Sequence, residues 1–550
     1  MSWNTLQQNR DARLLRARAT LGNALDGKSL PAARIADLLH AVLECGDRVC
    51  LEGNNQKQAD FLGHALANLD PARVNDLHML QSVLALPEHL DVFERGVASR
   101  LDFSFSGPQA ARVARLASAG KLNIGAIHTY LELFSRYFID LPPRVCLIAA
   151  EAADRHGNLY TGPNTEDTPA IVEATAFKQG IVIVQVNQLV DKVPRVDVPG
   201  DWVDFVVQSP RPYYIEPLFT RDPAQISEIQ VLMAMMAIKG IYAEYEVQRL
   251  NHGIGFDTAA IELLLPTYAE SLGLRGKIGK HWALNPHPAL IPAIEAGFVT
   301  SIHSFGSELG MEEYIHARPD VFAIGPDGSM RSNRAMCQAA GHYACDMFIG
   351  STLQIDLQGN SSTATTGRIS GFGGASNMGA DARGRRHASP AWLKAGQQAR
   401  AGRNTIPRGQ KLVVQMVETF REHMQPAFVE KLDAWELMEQ AKMAIPPVMI
   451  YGDDVTHILT EEGIANLLLC RTDEEREQAI RGVAGYTPVG LGRDKRAVEN
   501  LRDRGIITRA EDLGIDKRLA TRDLLAARNM KDLVRASGGL YNPPKRFRNW

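Results

Sequence analysis

The 550-residue sequence predicts an α/β protein of two halves, each with a mainly parallel sheet flanked by helices. Three observations carry this. The chain is too long for one core, since single cores stop growing at roughly 250–300 residues. Short apolar runs alternate with segments of helical periodicity, as in βαβ architecture. A polar stretch over residues 210–228, broken by Pro210, Pro212, Pro217 and Pro223, interrupts that rhythm. It divides the chain into an N-terminal domain, 1–220, and a C-terminal domain, 221–550.

The elements follow in order. Residues 1–45 read as helical, with Leu14, Leu21 and Leu25 at helical spacing. The run at 48–52 reads as a buried strand ending in Gly53-Asn54-Asn55-Gln56-Lys57-Gln58, and a helix is predicted over 59–69. Strand, polar turn, helix is a unit that places ligands at the strand's carboxyl end. Further strands are predicted at 145–149, 181–186 and 202–207. Past the boundary, a helix near 226–238 restarts the pattern. A turn at Asn251-His252-Gly253-Ile254-Gly255 leads into a helical run over 259–265. Strands are predicted at 299–303, 348–357 and 411–416, and the chain reads strand, turn, helix again over 455–468. No clear sequence repeat relates the halves.

Composition removes several classes of function. The net charge of −3 gives no global signature for nucleic acid or another polyanion. Charge is uneven, however: residues 493–550 hold 15 Lys/Arg against 8 Asp/Glu. Such a segment suits either an acidic partner or a solvated helical surface. The six cysteines (45, 50, 146, 337, 345 and 470) form neither C-x-x-C nor a zinc spacing. A disulfide scaffold and a structural metal are therefore not expected, and a reducing compartment is. The N-terminus has no apolar signal region, and no window approaches 18 uninterrupted apolar residues. No membrane span is expected, and the chain reads as cytoplasmic.

The densest motif is the glycine turn at 366–377, TGRISGFGGASN. Glycine lets backbone N–H groups approach a ligand closely. Donors aimed at one point suit a phosphate or the oxyanion of acyl transfer; a surface turn would also use these residues. The spacing is neither G-x-G-x-x-G nor a P-loop, so both nucleotide fingerprints fail. No G-x-S-x-G elbow supports a hydrolase triad.

Five motifs together resemble the malonate decarboxylase alpha-subunit family. They are residues 47–62 (DRVCLEGNNQKQADFL), 157–169 (GNLYTGPNTEDTP), 253–266 (GIGFDTAAIELLLP), 366–381 (TGRISGFGGASNMGAD) and 455–466 (VTHILTEEGIAN). The resemblance runs through most of the chain and reaches the wider CoA-transferase superfamily, including the citrate lyase alpha subunit. It implies two CoA-transferase-like halves with the active site between them. It implies an acyl-carrier-protein transferase: acetyl thioester on a carrier meets malonate, acetate leaves, and malonyl thioester remains. It also implies an acyl carrier protein subunit and separate decarboxylase subunits as partners. The carrier would supply its own phosphoribosyl-dephospho-CoA prosthetic group, bound here without a covalent link and without a metal.

The resemblance also assigns roles. The superfamily's G-x-G-G oxyanion turn corresponds to Gly371, Gly373 and Gly374, with Phe372 as a packing anchor. The usual nucleophile is a glutamate near 301–310 (SIHSFGSELG). One register puts Phe305 at that position, and another leaves Glu308 as the nucleophile. The citrate lyase branch also departs from the glutamate pattern, so direct attack by malonate through a mixed anhydride is favoured. Malonate is a dianion and needs amide or cationic donors. Asn54, Asn55, Gln56 and Lys57 are the substrate-binding candidates, although a helix cap explains one asparagine equally. Asn164, with Glu166 and Asp167, is a further candidate for orienting substrate or carrier, and Asn377 is counted with the substrate-binding residues.

Weaker candidates remain. Arg383-Gly384-Arg385-Arg386-His387 suits the phosphates of a prosthetic group or a solvated loop. His457 reads as a satisfied core histidine. His128 and His156 have no assignable role. Two rival readings stand: a transferase or hydrolase acting on free CoA thioesters through Glu308, and an assembly scaffold docking through residues 493–550.

Overall fold

In the computed structural model, two sheets follow nearly the same plan. The structure describes residues 2–54, 57–326, 330, 332–399, 408–548 and 550. In the first half, strand Arg48–Leu51 lies inside its sheet. Leu77–Val83, Ala98–Phe105 and Asn123–Ile127 extend to one side. Val145–Asp154, Ile181–Val190 and Phe205–Gln208 extend to the other. In the second half, Arg249–His252 takes the inner place, with His281–Leu284 and Ser301–Ser304 on one side. Met347–Gly350, Leu412–Met416 and His457–Thr460 lie on the other. Adjacent strands in both series are parallel. The order reverses beside the inner strand of each sheet, which opens a crevice at the strands' carboxyl ends.

The apolar runs become strands because both faces are covered. Along Val145–Asp154, Leu147 and Ala149 pack on one face, while Cys146, Ile148 and Ala150 pack on the other. Helices Ile35–Val42, Asp60–Ala67 and Ala110–Ser118 cover the first face. Helices Tyr130–Ile139 and Thr168–Phe177 cover the second.

The chain leaves the first sheet at Gln208 and restarts with helix Glu228–Ala237, around the predicted break. The halves are not cleanly separate. Ala364, Ile369, Leu437, Ala441 and Met443 of the second half are buried in the first half's core. The predicted strand at 348–357 is shorter, Met347–Gly350, and two small hairpins lead from it to the glycine turn. The predicted helical segment 1–45 is interrupted: helix Trp3–Leu21 is separated from Ile35–Val42 by short strand Ser29–Leu30.

The basic C-terminal segment is folded. Ile507–Thr508 adds to the second sheet, and Met530, Leu533 and Tyr541 are buried. Asn542 N–H donates to Gly310 O at 2.9 Å. Removing this segment would therefore strip core as well as any docking surface. Among the described residues, no helix is long and apolar enough to cross a membrane, and no His/Cys/Asp/Glu cluster is arranged for a metal.

Candidate active site

A cavity of about 120 Å³ lies between the halves, at the carboxyl ends of the second sheet's strands. That is near the roughly 150 Å³ that holds a benzene-sized ligand. Phe105, Tyr130 and Phe219 reach it from the first half; Phe305, Phe348 and Phe372 line it from the second. Against this apolar wall stand a few polar groups: Asn251 and His252 on their strand, Asn285 and His287 just beyond the next, Arg334 and Gln338 on helix Arg334–Ala344, and the Gly373-Gly374 backbone.

The glycine turn is fixed by the first half. Phe372 N–H and Gly373 N–H both donate to Ser104 O, at 2.7 and 2.8 Å. Gly371 has φ +76°, and a Cβ there would lie 2.4 Å from Ser104 O, so only glycine fits this crossing. Gly371 is not on the cavity wall, and the Gly373 N–H is taken up by Ser104. Gly374 differs. Its N–H has no partner among the described residues, and it precedes the short helix Ala375–Met378.

The Gln338 side chain adds a second donor. Its Nε2 is buried with no partner among the described residues, close to where a Cβ at position 374 would stand. Asn377 holds the amide: its Nδ2 donates to Gln338 O at 2.9 Å and to Oε1 at 3.1 Å. Asn377 thus positions Gln338 and is not itself on the cavity wall. Two donors therefore face one small apolar cavity, which suits charge developing on a carbonyl oxygen.

Arg334 is buried and lies 4.5 Å over the Tyr130 ring. Its Nη2 reaches Glu166 Oε2 at 2.8 Å and its Nε reaches Asp167 Oδ1 at 3.0 Å. Glu166 has a left-handed φ of +43°, uncommon outside glycine, and its Oε1 faces Gly306. Burial lifts its carboxyl to about 8 despite Arg334, with Asp167 adding to the rise. Glu166 and Asp167 thus hold an arginine of the other half in place. Because the folded-state value lies above the unfolded one, the group's stabilisation is complete below about 4.5 and is lost as pH rises through about 8. Glu166→Gln is expected to flatten that fall, which denaturant titrations between pH 5 and 8.5 would measure.

Glu308 is fully buried but off the cavity wall. Its carboxylate accepts from Phe219 N–H at 3.2 Å and Thr220 Oγ1 at 3.0 Å. Burial raises it to about 7, against those two bonds. Phe305 occupies the wall instead.

The other candidates are placed as follows. Lys57 N–H donates to Asn54 Oδ1 at 2.7 Å, closing the polar turn. The Lys57 ammonium is buried against Thr168, Thr165 O at 3.3 Å and the Glu52 carboxylate at 3.6 Å. Asn54 and Lys57 are therefore internal braces away from the cavity, where a malonate-binding role was expected. Asn55 and Gln56 lie outside the described residues. Asn164 Nδ2 bonds Ser307 Oγ at 3.2 Å, joining the halves away from the cavity wall. Arg385 is buried on Asp346 at 2.6 Å and over Trp392, while Arg383 and Arg386 are exposed. His457 is a core residue, bonded to Thr456 Oγ1 at 3.0 Å and pushed down to about 3 by burial.

The sequence reading missed Arg334, Gln338, Asn285, His287 and the His252–Glu262 pair. A signal existed for some. Asn251, His252 and Asn285 end or follow strands, the position that singled out Gly53–Gln58. Nothing local marks Gln338, which matters through contact with residue 374.

Comparisons agree with this architecture. The family described as "malonate decarboxylase, alpha subunit, transporter" matches residues 2–550. A curated relative from Malonomonas rubra, named acetyl-S-ACP:malonate ACP transferase, is 63% identical over 100% of this chain and 99% of its own. A solved Pseudomonas malonate decarboxylase hetero-tetramer in complex with malonate contains a chain 59% identical, with TM-score 0.95, covering 100% of this chain and 99% of that one. The alpha subunit of a malonate decarboxylase from Acinetobacter baumannii is 55% identical with TM-score 0.94, covering 99% and 100%. A citrate lyase alpha subunit from Streptococcus mutans shares the fold at 16% identity, TM-score 0.60, covering 94% and 87%.

Proposed function

We propose, since the chain belongs to the malonate decarboxylase alpha-subunit family, that it is an acyl-carrier-protein transferase that exchanges acetyl for malonyl on a carrier thioester within this cavity. The observation that carries the site is the pair of unpartnered donors, Gln338 Nε2 and Gly374 N–H, on a small apolar wall.

The reaction follows from that wall. A malonate carboxylate oxygen attacks the acetyl carbonyl carbon, and negative charge builds on the carbonyl oxygen. Gln338 and Gly374 are the groups placed to receive it. The C–S bond breaks, leaving a thiolate and an acetyl–malonyl anhydride. The thiolate then attacks the malonyl carbonyl, and acetate leaves with the bridging oxygen. No proton changes hands, so no general base is required. What the site must supply is position, and holding reacting atoms at about 3–3.5 Å contributes several kcal/mol.

The thiol would come from the phosphoribosyl-dephospho-CoA arm of the carrier protein. The aromatic wall fits a thioester end, and a cavity of about 120 Å³ leaves the nucleotide outside. We also place the chain in a cytoplasmic hetero-oligomer with a carrier and decarboxylase subunits. The relative in the Pseudomonas hetero-tetramer and six cysteines without disulfides support this.

The test is incubation of the chain with ¹⁴C-malonate and acetylated carrier. Malonate-dependent label on the carrier with equal acetate release is expected; transfer confined to free CoA thioesters would refute the reading. In Glu308→Gln the amide oxygen keeps one of the two accepted bonds, and the amide NH2 faces the partner of the other. Its exchange is expected to fall no more than roughly tenfold, far from the loss on the order of 10⁶ seen when a covalent nucleophile is removed. Rate measurements and hydride trapping of the wild type would check this.

A further inference from the structure

Beyond the oxyanion donors, one more cavity group has an unused atom. His287 Nδ1 is buried without a partner among the described residues, while its Nε2 lies 2.8 Å from Glu262 Oε1. We propose that His287 receives malonate's second carboxylate through a protonated Nδ1, and so makes the site select a dicarboxylate. This rests on the transferase reading and adds the residue that reads the substrate's far end.

The surroundings fix the ring's role. Glu262 Oε1 also faces His252 Nδ1 at 2.9 Å, and His252 Nε2 faces the Tyr242 hydroxyl. With Tyr242 donating to Nε2, His252 carries its proton on Nδ1 and is neutral. The Glu262 carboxylate is therefore in place to support the imidazolium that the proposal forms at His287 when a carboxylate binds. Glu262 is held below the usual carboxylate range: burial opposes this, but His287 and His252 outweigh it. His287 Nε2–H pointing at Glu262 leaves Nδ1 as the edge for a ligand.

The other charged groups do not compete. Arg334 is already engaged by Glu166 and Asp167. Glu308, near enough to be affected by His287, is bonded to Phe219 N–H and Thr220, with Arg221 beside it. Asp257, near His252, accepts from Ser351 and Thr258 N–H. Asn285, whose Oδ1 is also buried and without a partner among the described residues, lies two residues from His287 on the same wall. A carboxylate entering beside His287 takes a proton with it onto Nδ1, and the ring is then held between that carboxylate and Glu262 by charge-assisted bonds in an apolar setting. A monocarboxylate filling only the reacting position gains nothing there.

The experiment is calorimetric titration of malonate, and separately acetate, into the full chain between pH 6.5 and 8.5, in buffers of different ionisation enthalpy. Proton uptake with malonate, affinity falling as pH rises, and preference for malonate over acetate are expected. His287→Leu should weaken malonate roughly 10–100-fold and erase both proton uptake and the preference. His287→Asn, which keeps a donor near Nδ1, should regain part of the affinity without proton uptake. The KM for acetylated carrier should stay unchanged in both variants, with matching melting curves as the folding check. Malonate binding without proton uptake, or His287→Leu binding within threefold of wild type, overturns the assignment and leaves the transferase reading intact. No malonate binding by the unaltered chain overturns both.

Discussion

Alanine at position 374 is expected to lower acyl exchange about 10²–10³-fold while the protein stays folded. Gly374 has an ordinary right-handed backbone, φ −92°, so alanine adds no backbone strain. Its Cβ would stand 2.4 Å from Gln338 Nε2, the free end of a flexible side chain. The amide moves aside at small cost, but it then leaves the position from which it donates. One methyl group thus disturbs both donors of the cavity. Gly371→Ala gives the contrast, because its Cβ would meet the Ser104 carbonyl at 2.4 Å from a left-handed backbone. That variant should lose stability. Single-turnover rates with melting curves on the two variants separate chemistry from folding. An active Gly374→Ala would remove the turn from the mechanism.

Arg334→Met is expected to show the largest stability effect, about 3–5 kcal/mol, together with loss of exchange. The guanidinium is shared by two buried carboxylates on one loop of the opposite half and stacks on Tyr130. Removing it leaves Glu166 and Asp167 buried without their cation. It also frees the start of the helix that carries Gln338. Lysine is not equivalent, since one ammonium lacks the fork geometry that reaches Glu166 and Asp167 together. Denaturant unfolding would measure the loss.

These effects depend on contacts that sequence periodicity does not report. The strands at Val145–Asp154 and Leu412–Met416 were legible from their apolar stretches, 145–149 and 412–414, where both faces are buried. The glycine turn was legible as a motif, but its division of labour was not. Gly371 meets the Ser104–Phe105 backbone, Gly373 spends its N–H on Ser104, and Gly374 brings to the cavity wall an N–H with no partner among the described residues, because a strand more than 260 positions earlier crosses the turn. The polar run at Gly53–Gln58 shows the same limit of spacing. Its lysine was expected to offer an ammonium to malonate, and in the structure it turns inward to lie 3.6 Å from the Glu52 carboxylate. The Phe305/Glu308 ambiguity could not be resolved by spacing, because the loop after Ser304 decides which side chain meets the cavity.

The central claim is that malonate attacks the acetyl thioester directly. A single turnover with the chain in excess over acetylated carrier, using malonate ¹⁸O-labelled in its carboxylates, tests it. Direct attack makes a malonate oxygen the bridge of the anhydride, so the released acetate should carry one ¹⁸O. Unlabelled acetate, with ¹⁸O appearing in the Glu308 side chain, would contradict the account and establish Glu308 as the nucleophile.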